Sequence, residues 1–587
     1  MRAVEGPVLL LAVPGGGKTT VLINRLGYMI YECGIKPEKI LTVTYTKAAT
    51  RDMEHRFEQL FGTDIARRLD FRTINSFSQN VLYKYGEMTG KQPFAVVEGK
   101  DQAALINEVY ISVKKSFPTE NDIKEIALGI AYAKNMRLSG DEIKKLDSKI
   151  SSFSMLYESY QRSLRNHKLM DFDDQMVYAL TLLEKVPEIL QFYQNKYEYI
   201  CVDEAQDTSK IQHDIIKLLA AKSGNIFMVG DEDQSIYGFR AAYPEALVNF
   251  ESTYPGAKVL LMESNYRSSK EIVEAADKFI QNNKNRHKKH MLATGKSVAN
   301  PANIKVNDIS EQYHYLLNVA KNCNKETAVL YRNNENALPL INLLDKHGIS
   351  YRLKESELTF FTHPVVTDIC DFIRLALNPY DGETFLRIYY KMGLKISKAR
   401  ALYVAENNNY RTTIMDDLCD QDHLFGQMRD EYEERAVQFR DITRERPDKA
   451  IRTIVSLMGY GEYMDSRRMD SEKAETLKAI AAEEKTIKDF LNRLDELKEM
   501  IAQGCGDPYS DFILSTIHSS KGLEYDAVYL MDMKRGILPS VTSAEDNDLY
   551  EEERRLYYVG MTRAKNELNI FTFGDRQTSE FSRFVFK

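Results

Sequence analysis

Short apolar runs separated by longer amphipathic stretches follow one another along the first part of this chain. The run Val8 to Leu11 is bounded by Pro14-Gly15-Gly16-Gly17, after which apolar residues recur at helical spacing. A continuous apolar run of this length is typical of a buried parallel strand. Similar runs occur at residues 40–46, 71–74, 197–203 and 225–231. Strands that alternate with helices predict a parallel α/β sheet.

A second series of such runs begins after Asn265. Its predicted strands are residues 328–332, 512–518, 527–533 and 568–573. Each series is interrupted by a charged, helical stretch without a clear strand. The pattern therefore predicts two α/β domains, each with a helical insertion. Their predicted bounds are 1–97 with 171–262 for the first domain, 98–170 for its insertion, 263–377 with 506–587 for the second domain, and 378–505 for its insertion.

The composition adds limits to this outline. Apolar residues make up 43% and charged residues 28% of the 587 positions, which is typical of globular domains. A net charge of −7 excludes a globally basic nucleic-acid binder but leaves room for a local basic track. Trp is absent, so any stacking on bases would use Tyr and Phe. Six scattered cysteines without CxxC spacing argue against zinc or iron–sulfur sites and favour a reducing compartment.

The residues Ala12 to Thr20 have the pattern of a phosphate-binding loop between a strand and a helix. Glycines allow successive backbone N–H groups to converge on phosphate oxygens, and the helix N-terminus adds partial positive charge. Lys18 would reach the β and γ phosphates, and the Thr19 hydroxyl would ligate Mg²⁺. The alternative is a Gly-rich turn that precedes a lysine. The predicted loop residues are Ala12, Val13, Pro14, Gly15, Gly16, Gly17, Lys18, Thr19 and Thr20.

An acidic pair, Asp203-Glu204, stands at the end of a predicted strand of the same sheet. There Asp203 would hold Mg²⁺ and Glu204 would act as the general base toward the attacking water. The alternative is a solvated pair before a helix, where carboxylates are favoured. Gln234, in the block GDEDQSIYGFRAA, supplies an amide that could orient water.

Further blocks follow in a fixed order: SNYRSS at 264–269, STIHSSKGLEYDAV at 515–528 and EEERRLYYVGMTRAK at 551–565. TVTYTKAA at 42–49 and DFDDQ at 171–175 complete the set. With the loop and the acidic pair, these blocks resemble the superfamily-1 DNA helicases of the UvrD/Rep/PcrA family. The resemblance covers nearly the whole chain and implies two RecA-like P-loop NTPase domains with parallel sheets, which sandwich ATP.

The resemblance also implies roles for individual residues. Lys18 and Glu204 match catalytic positions, and Gln234 matches a glutamine that senses the γ-phosphate. Arg267 and Arg563 match arginines that neutralise charge on the transferring phosphoryl group, although surface ion pairing is their alternative. Tyr266 matches an aromatic that stacks on adenine, while Arg240 and Glu524 match residues near the same phosphate.

For DNA, the resemblance implies a single strand whose bases stack on aromatic side chains. The matching positions are Tyr45, Thr73, Asn75, Phe172, Tyr237, Phe239, Thr516, His518 and Lys521. Core packing is the alternative for Phe172 and Phe239. The basic run at 284–289 is either a solvated helix end or a phosphate contact.

Several positions depart from the family pattern. A glutamine that reads adenine would fall just before Met1. Phe239 replaces a tryptophan and Asn75 a histidine, and the second insertion is shorter than usual. Nuclease motifs of RecB-type chains are not visible.

The resulting hypothesis is an ATP-dependent DNA helicase or translocase that uses ATP and Mg²⁺ and moves 3′ to 5′ on single-stranded DNA. Its predicted partners are single-stranded DNA and single-strand/duplex junctions, in DNA repair, replication or recombination. The predicted location is the cytoplasm, because the sequence shows neither a signal peptide nor an apolar run long enough to span a membrane. Two alternatives stay open: a translocase that strips proteins with little unwinding, and a non-hydrolysing ATP-binding regulator that grips DNA.

Overall fold

The computed structural model describes residues 2–354, 358–408, 411–420, 426–467, 469–541, 543, 546–574 and 576–587, apart from the Glu120 side chain. The chain divides into two compact units. Unit 1 extends to Ala299 and includes a later segment that ends at Thr562. Unit 2 runs from Asn300 to Val541 and resumes at Arg563.

The main sheet of unit 1 is parallel and has the strand order β3-β2-β6-β7-β1-β8. Leu10 of β1 lies opposite Val229 of β7 and Leu260 of β8. Strands β1, β2 and β7 are buried throughout, which explains their continuous apolar sequences. The strands of unit 1 are β1 (Val8–Ala12), β2 (Ile40–Thr44), β3 (Asp70–Thr73), β4 (Ala95–Val96), β5 (Leu169–Met170), β6 (Tyr199–Val202), β7 (Ile226–Gly230), β8 (Lys258–Met262), β9 (Ser264–Asn265) and β10 (Leu292–Ala293).

Helices cover this sheet and form an insertion with its own core. The insertion buries Ile106, Phe153 and Tyr160, and the short pair β4–β5 stands where it joins the sheet domain. The helices up to residue 299 are α1 (Lys18–Tyr31), α2 (Lys47–Phe61), α3 (Thr63–Ala66), α4 (Ile74–Thr89), α5 (Gly99–Lys114), α6 (Glu120–Asn135), α7 (Gly140–Lys145), α8 (Phe153–His167), α9 (Asp174–Lys185), α10 (Pro187–Lys196), α11 (Lys210–Ala220), α12 (Glu245–Val248), α13 (Phe250–Thr253) and α14 (Lys270–Ile280).

Unit 2 contains a second parallel sheet, with the order β11-β16-β15-β12-β14-β13. Its strands are β11 (Ala302–Lys305), β12 (Thr327–Tyr331), β13 (Arg352–Leu353), β14 (Phe512–Thr516), β15 (Tyr525–Leu530) and β16 (Ala564–Thr572). One continuous core joins Val329 of this sheet to Phe372 and Ile480 of the inserted helices.

Most of the described helices of unit 2 lie between β13 and β14, while two precede β13 and one follows β16. They are α15 (Ile309–Lys321), α16 (Leu338–Lys346), α17 (Thr359–Thr362), α18 (Pro364–Leu377), α19 (Gly382–Ile388), α20 (Lys398–Asn407), α21 (Ile414–Cys419), α22 (Gln427–Ile442), α23 (Pro447–Ser456), α24 (Tyr460–Ser466), α25 (Glu472–Ala481) and α26 (Ile487–Ala502) before β14, with α28 (Glu580–Val585) after β16. Helix α27 (Asn547–Met561) belongs to unit 1.

The predicted fold class, two parallel α/β sheets each with a helical insertion, is confirmed. Strands β8, β11 and β13 lie outside the predicted series. Strand β8 is an edge strand with partly exposed leucines, and β13 is two residues long, so neither has the buried apolar run that marks a central strand. Among the described helices, none combines the length and apolar character that crossing a bilayer requires.

Candidate nucleotide site and nucleic-acid interface

The predicted phosphate loop lies at the carboxyl end of β1. Helix α1 begins at Lys18, so the loop glycines lead directly into a helix N-terminus. The Gly16 N–H donates to the Val13 carbonyl at 3.1 Å, which closes the turn. This is the geometry that favours an anionic group at the start of α1.

The end of β8 and the segment of this chain that follows it hold the loop from outside. The Val13 N–H donates to the Met262 carbonyl at 3.1 Å, and the Tyr266 N–H donates to the Gly15 carbonyl at 3.1 Å. The Asn265 side-chain amide, which is buried, donates to the Pro14 carbonyl at 2.8 Å. The block at 264–269 therefore forms one wall of the loop. Of the two remaining predicted residues, Ala12 ends β1, and Thr20 lies in the first turn of α1, where its carbonyl accepts from Asn24.

Gly15→Ala is expected to disrupt this loop. Gly15 has a φ of 66°, and a Cβ at this position would lie 2.6 Å from Arg267 Cβ. The left-handed conformation alone costs an L-residue about 1–2 kcal/mol, and the clash adds a displacement of the phosphate-binding backbone. We expect weaker ATP binding, measured by fluorescent nucleotide titration.

Gly6→Ala is the matched control, because Gly6 has a φ of 80° with open space around its Cβ position. It should lower thermal stability slightly and leave nucleotide affinity unchanged. Equal affinity in the Gly15 variant and the wild type would contradict the assignment of this loop.

The acidic pair lies beside the loop, at the end of β6. Lys18 Nζ is 3.2 Å from Glu204 Oε2, and the Thr19 hydroxyl is 3.4 Å from Asp203 Oδ2. Burial and the neighbouring Glu204 carboxylate together raise the pKa of Asp203 to about 7. The lysine, the hydroxyl and the two carboxylates thus meet in one place within unit 1. The alternative of a solvated acidic pair is wrong for Asp203, which is buried.

Gln206 is a site residue that the sequence analysis missed. Its buried amide donates to Glu204 Oε2 at 2.6 Å, and its oxygen accepts the Asp231 N–H at 2.9 Å. Gln206 therefore holds the candidate base and ties it to the loop that carries Gln234. It stands two residues after Glu204 in the block VDEAQD, but its partners are not evident from sequence.

The predicted sensor Gln234 is buried and held by an acidic cluster. Its amide donates to Asp231 Oδ2 at 2.5 Å. The buried Lys289 ammonium lies 2.8 Å from Asp231 Oδ1 and 2.6 Å from Glu232 Oε2. Arg286 pairs with Asp233 at 2.7 Å.

This cluster corrects the interpretation of the basic run at 284–289. For Lys289 and Arg286, both alternatives, a solvated helix end and a phosphate contact, are wrong. Three consecutive carboxylates in the interior require cationic partners, and these two side chains supply them. Lys284 and Lys288 of the same run are exposed.

Arg267 and Tyr266 lie beside the phosphate loop. The Arg267 Nη1 donates to the Thr562 carbonyl at 3.2 Å, and its backbone N–H donates to Asn265 Oδ1 at 2.9 Å. The Tyr266 side chain is 68% exposed, so its ring is accessible for stacking. The sequence did not single out Asn265. Its side-chain N–H donates to the phosphate loop and its side-chain oxygen accepts the Arg267 N–H, so Asn265 orders this segment.

Three of the positions predicted to contact DNA form an aromatic surface in unit 1. The rings of Tyr45 and Tyr237 are stacked at 6.0 Å, and Phe239 is edge-on to Tyr237 at 6.1 Å. The Arg240 guanidinium lies over the Phe239 ring at 5.4 Å and over Tyr237 at 5.6 Å. Arg240 thus accompanies the aromatic residues as a cation–π partner. Phe239 is 46% exposed, so core packing is wrong for this residue.

Thr73, Asn75 and Phe172 form a second group. The Thr73 hydroxyl caps α4 by accepting the Ser76 N–H at 3.2 Å. The Asn75 amide donates to the Phe172 carbonyl at 3.4 Å. The Phe172 ring is exposed, and core packing is wrong for it too.

The remaining predicted residues lie in unit 2. The Thr516 hydroxyl accepts the Ser519 N–H at 3.1 Å, and the Lys521 N–H donates to the His518 carbonyl at 3.2 Å, so these three share one turn after β14. The exposed Glu524 pairs with Lys565 at 3.7 Å. Arg563 is buried, and its Nη1 donates to the Leu523 carbonyl at 3.1 Å.

A glycine-rich loop between β1 and α1, with an acidic pair at the end of β6, defines a P-loop nucleotide-binding protein. The UvrD/REP helicase N-terminal domain model matches residues 1–255, and the UvrD-like helicase C-terminal domain model matches residues 260–574. The chain therefore belongs to the UvrD/REP helicase family, and its sheets are those of two RecA-like domains.

Several curated bacterial proteins are similar over the whole chain. The ATP-dependent DNA helicase PcrA of Bacillus subtilis is 31% identical over 640 residues, which covers 100% of this chain and 84% of that protein. The putative ATP-dependent DNA helicase YjcD of the same organism is 31% identical over 616 residues, which covers 99% of this chain and 79% of that protein. PcrA of Staphylococcus epidermidis is 30% identical over 631 residues, which covers 100% of this chain and 84% of that protein.

Proposed function

We propose that this protein is an ATP-dependent DNA helicase that hydrolyses ATP to move along single-stranded DNA and separate duplex DNA. Membership of the UvrD/REP helicase family supports the activity. The observation that carries the ATPase assignment is the convergence of Lys18, Thr19, Asp203 and Glu204 at the carboxyl ends of β1 and β6. A passive nucleotide binder has no need for a general base beside its phosphate loop.

The pairing of Lys18 with Glu204 indicates how the site responds to ATP. The ammonium is held by the carboxylate, 3.2 Å away. A triphosphate in the loop offers Lys18 a more highly charged partner, which releases Glu204 to accept a proton from the attacking water. Gln206 then keeps the freed carboxylate in position through the amide contact at 2.6 Å.

The Thr19 hydroxyl and the Asp203 carboxylate would hold Mg²⁺. Both are oxygen ligands, which this ion prefers, and they lie 3.4 Å apart at the loop. The described part of the chain has no group of three or more His, Cys, Asp or Glu side chains that could together hold a metal ion. This fits an ion held by one or two protein oxygens, with phosphate and water completing its shell. The ion would neutralise charge on the β and γ phosphates.

The aromatic surface of Tyr45, Tyr237 and Phe239 is proposed to stack on DNA bases. Phe239 is exposed and the Tyr45 and Tyr237 rings are half-buried, with Arg240 over two of the three rings. Aromatic rings beside an arginine match the chemistry of single-strand binding, in which each stacked base contributes about 1–3 kcal/mol. Phe172, Asn75 and Thr73, together with Thr516, His518 and Lys521 in unit 2, are proposed as further DNA contacts. The roles of Arg563 and Glu524 at the nucleotide stay predictions.

The direction of movement, 3′ to 5′, and a role in DNA repair, replication or recombination are proposals from the family resemblance. The six cysteines are free thiols, which supports a reducing compartment, and we propose the cytoplasm.

The test is ATP turnover with and without single-stranded DNA, followed by strand displacement on duplexes with a 3′ or a 5′ tail. We expect strong stimulation by DNA and displacement from the 3′-tailed duplex. Stimulated turnover without displacement would favour the translocase that strips proteins. A protein that binds ATP but shows no turnover with DNA would be the non-hydrolysing regulator, and the proposal would fail.

A further inference from the structure

Helix α27 contacts the loop at 234–239 at two backbone positions, both within unit 1. Glu552 Oε1 accepts the Gly238 N–H at 2.8 Å. One helical turn later, Arg555 Nε donates to the Ser235 carbonyl at 2.9 Å. Ser235 directly follows the sensor Gln234, and Gly238 stands between Tyr237 and Phe239. The helix thus holds both the nucleotide-facing and the DNA-facing end of this loop.

The absence of a side chain at Gly238 allows the contact with Glu552. A Cβ on Gly238 would lie 2.8 Å from Glu552 Oε1 and 2.9 Å from Glu552 Cδ. The carboxylate therefore occupies the space that any other residue would fill. A charged acceptor on a backbone N–H is also roughly twice as strong as a neutral one. The loop between the two aromatic residues is fixed to the helix at this point.

The other end of α27 reaches the nucleotide site. The Thr562 carbonyl, just after the helix, accepts Arg267 Nη1 at 3.2 Å, and Arg267 adjoins Gly15 of the phosphate loop. From Glu552 to Met561 the helix spans roughly 14 Å at 1.5 Å per residue. A helix is stiff over this length, so a shift at Arg267 moves Glu552 as well.

We propose that Glu552 is a positioning residue that couples the nucleotide site to the aromatic DNA surface. The inference rests on the proposed function and names the residue through which DNA binding accelerates ATP turnover. When ATP draws Arg267 toward its phosphates, α27 follows, and Glu552 carries Gly238 with the flanking Tyr237 and Phe239 rings. Bases stacked on these rings favour the same loop position, and by reciprocity DNA favours the ATP-bound arrangement.

The experiment measures ATP turnover without DNA and at saturating single-stranded DNA for the wild type, Glu552→Ala and Glu552→Gln. For Glu552→Ala we expect unchanged turnover without DNA, and stimulation by DNA that is lower by about tenfold or more, within the usual range of coupling between sites. Glu552→Gln keeps an acceptor for the Gly238 N–H and should retain most of the stimulation. Asp548→Ala, an exposed carboxylate on the same helix, is the matched control and should behave as the wild type.

Gly238→Ala tests the same contact from the loop side. Its methyl group displaces the carboxylate and should reproduce the reduced stimulation. Combined with Glu552→Ala it should cause no further loss. Both changes break the same hydrogen bond between Gly238 and Glu552, so their effects are not additive. This variant also decides the question should Glu552→Ala fail to fold.

Full stimulation in Glu552→Ala or in Gly238→Ala would overturn the inference. So would equal losses of turnover with and without DNA, which indicate a purely structural role, or additive effects in the double variant. A wild type without any stimulation by DNA would instead refute the proposed function, so the two failures are distinguishable.

Discussion

Glu204→Gln is expected to reduce DNA-stimulated ATP turnover by about 10²–10⁴-fold, the usual contribution of a general base. The substitution preserves the side-chain volume and an oxygen that can accept the Gln206 amide, which lies 2.6 Å from Glu204 Oε2. It removes the proton acceptor and the negative charge that pairs with Lys18. ATP affinity should therefore be unchanged or higher, because Lys18 is no longer held by a carboxylate. The measurements are steady-state phosphate release and nucleotide binding on the same preparation.

Glu198→Gln is the matched control for this variant. Glu198 is an exposed glutamate that pairs with Lys39 on the surface of unit 1. Surface ion pairs contribute about 0–1 kcal/mol, so its turnover should equal that of the wild type. Turnover in Glu204→Gln within a few-fold of the wild type would remove Glu204 from the role of base. Asp207, which also accepts the Gln206 amide, would then be the next residue to test.

Arg267→Ala is expected to lower ATP turnover about a thousandfold or more, as loss of an arginine finger does. The structure places this arginine against Gly15 of the phosphate loop, with Nη1 on the Thr562 carbonyl. We propose that the guanidinium contacts the γ-phosphate from this position, because the oxygens of that phosphate gain charge in the transition state. ATP binding should fall much less than turnover. Rapid-mixing phosphate release separates the chemical step from binding.

Arg267→Lys provides a second comparison, and it should not restore turnover, because an ammonium lacks the planar fork of a guanidinium. Lys270→Ala is the matched control: Lys270 begins α14 three residues away and forms an exposed pair with Glu274. It should change turnover by no more than about twofold, as surface substitutions do. An Arg267→Ala enzyme that keeps a tenth of its turnover would show that this arginine is a structural contact of α27.

Short contiguous motifs predicted the parts of the candidate nucleotide site. In the loop, Lys18 follows three glycines, and Asp203-Glu204 directly follow the buried strand β6, so spacing alone implied phosphate chemistry. The two parallel sheets also followed from sequence, because buried central strands need continuous apolar runs. The edge strand β8 was missed although Val259 to Met262 form an apolar run, and its leucines are exposed at the edge of the sheet in the structure.

The partners of buried polar groups could not be predicted in the same way. Lys289 lies in a basic run that resembles a solvated surface, yet it neutralises Asp231 and Glu232 in the interior. Glu552 and Gly238 are separated by 314 positions along the chain. Nothing in either local sequence specifies the other residue, since a carboxylate and a backbone N–H are found throughout any protein.

By itself, the sequence determined which chemical groups this protein carries and the order of its strands and helices along the chain. Both depend on neighbouring residues and on hydrophobic periodicity, which are local properties. Only the tertiary structure decided which groups meet. Gln206 hydrogen-bonds to Glu204, Lys289 pairs with the acidic cluster, and Glu552 of α27 accepts a hydrogen bond from the loop that carries the aromatic residues. The physical reason is that a buried polar group must find a partner, and packing of the whole domain selects that partner.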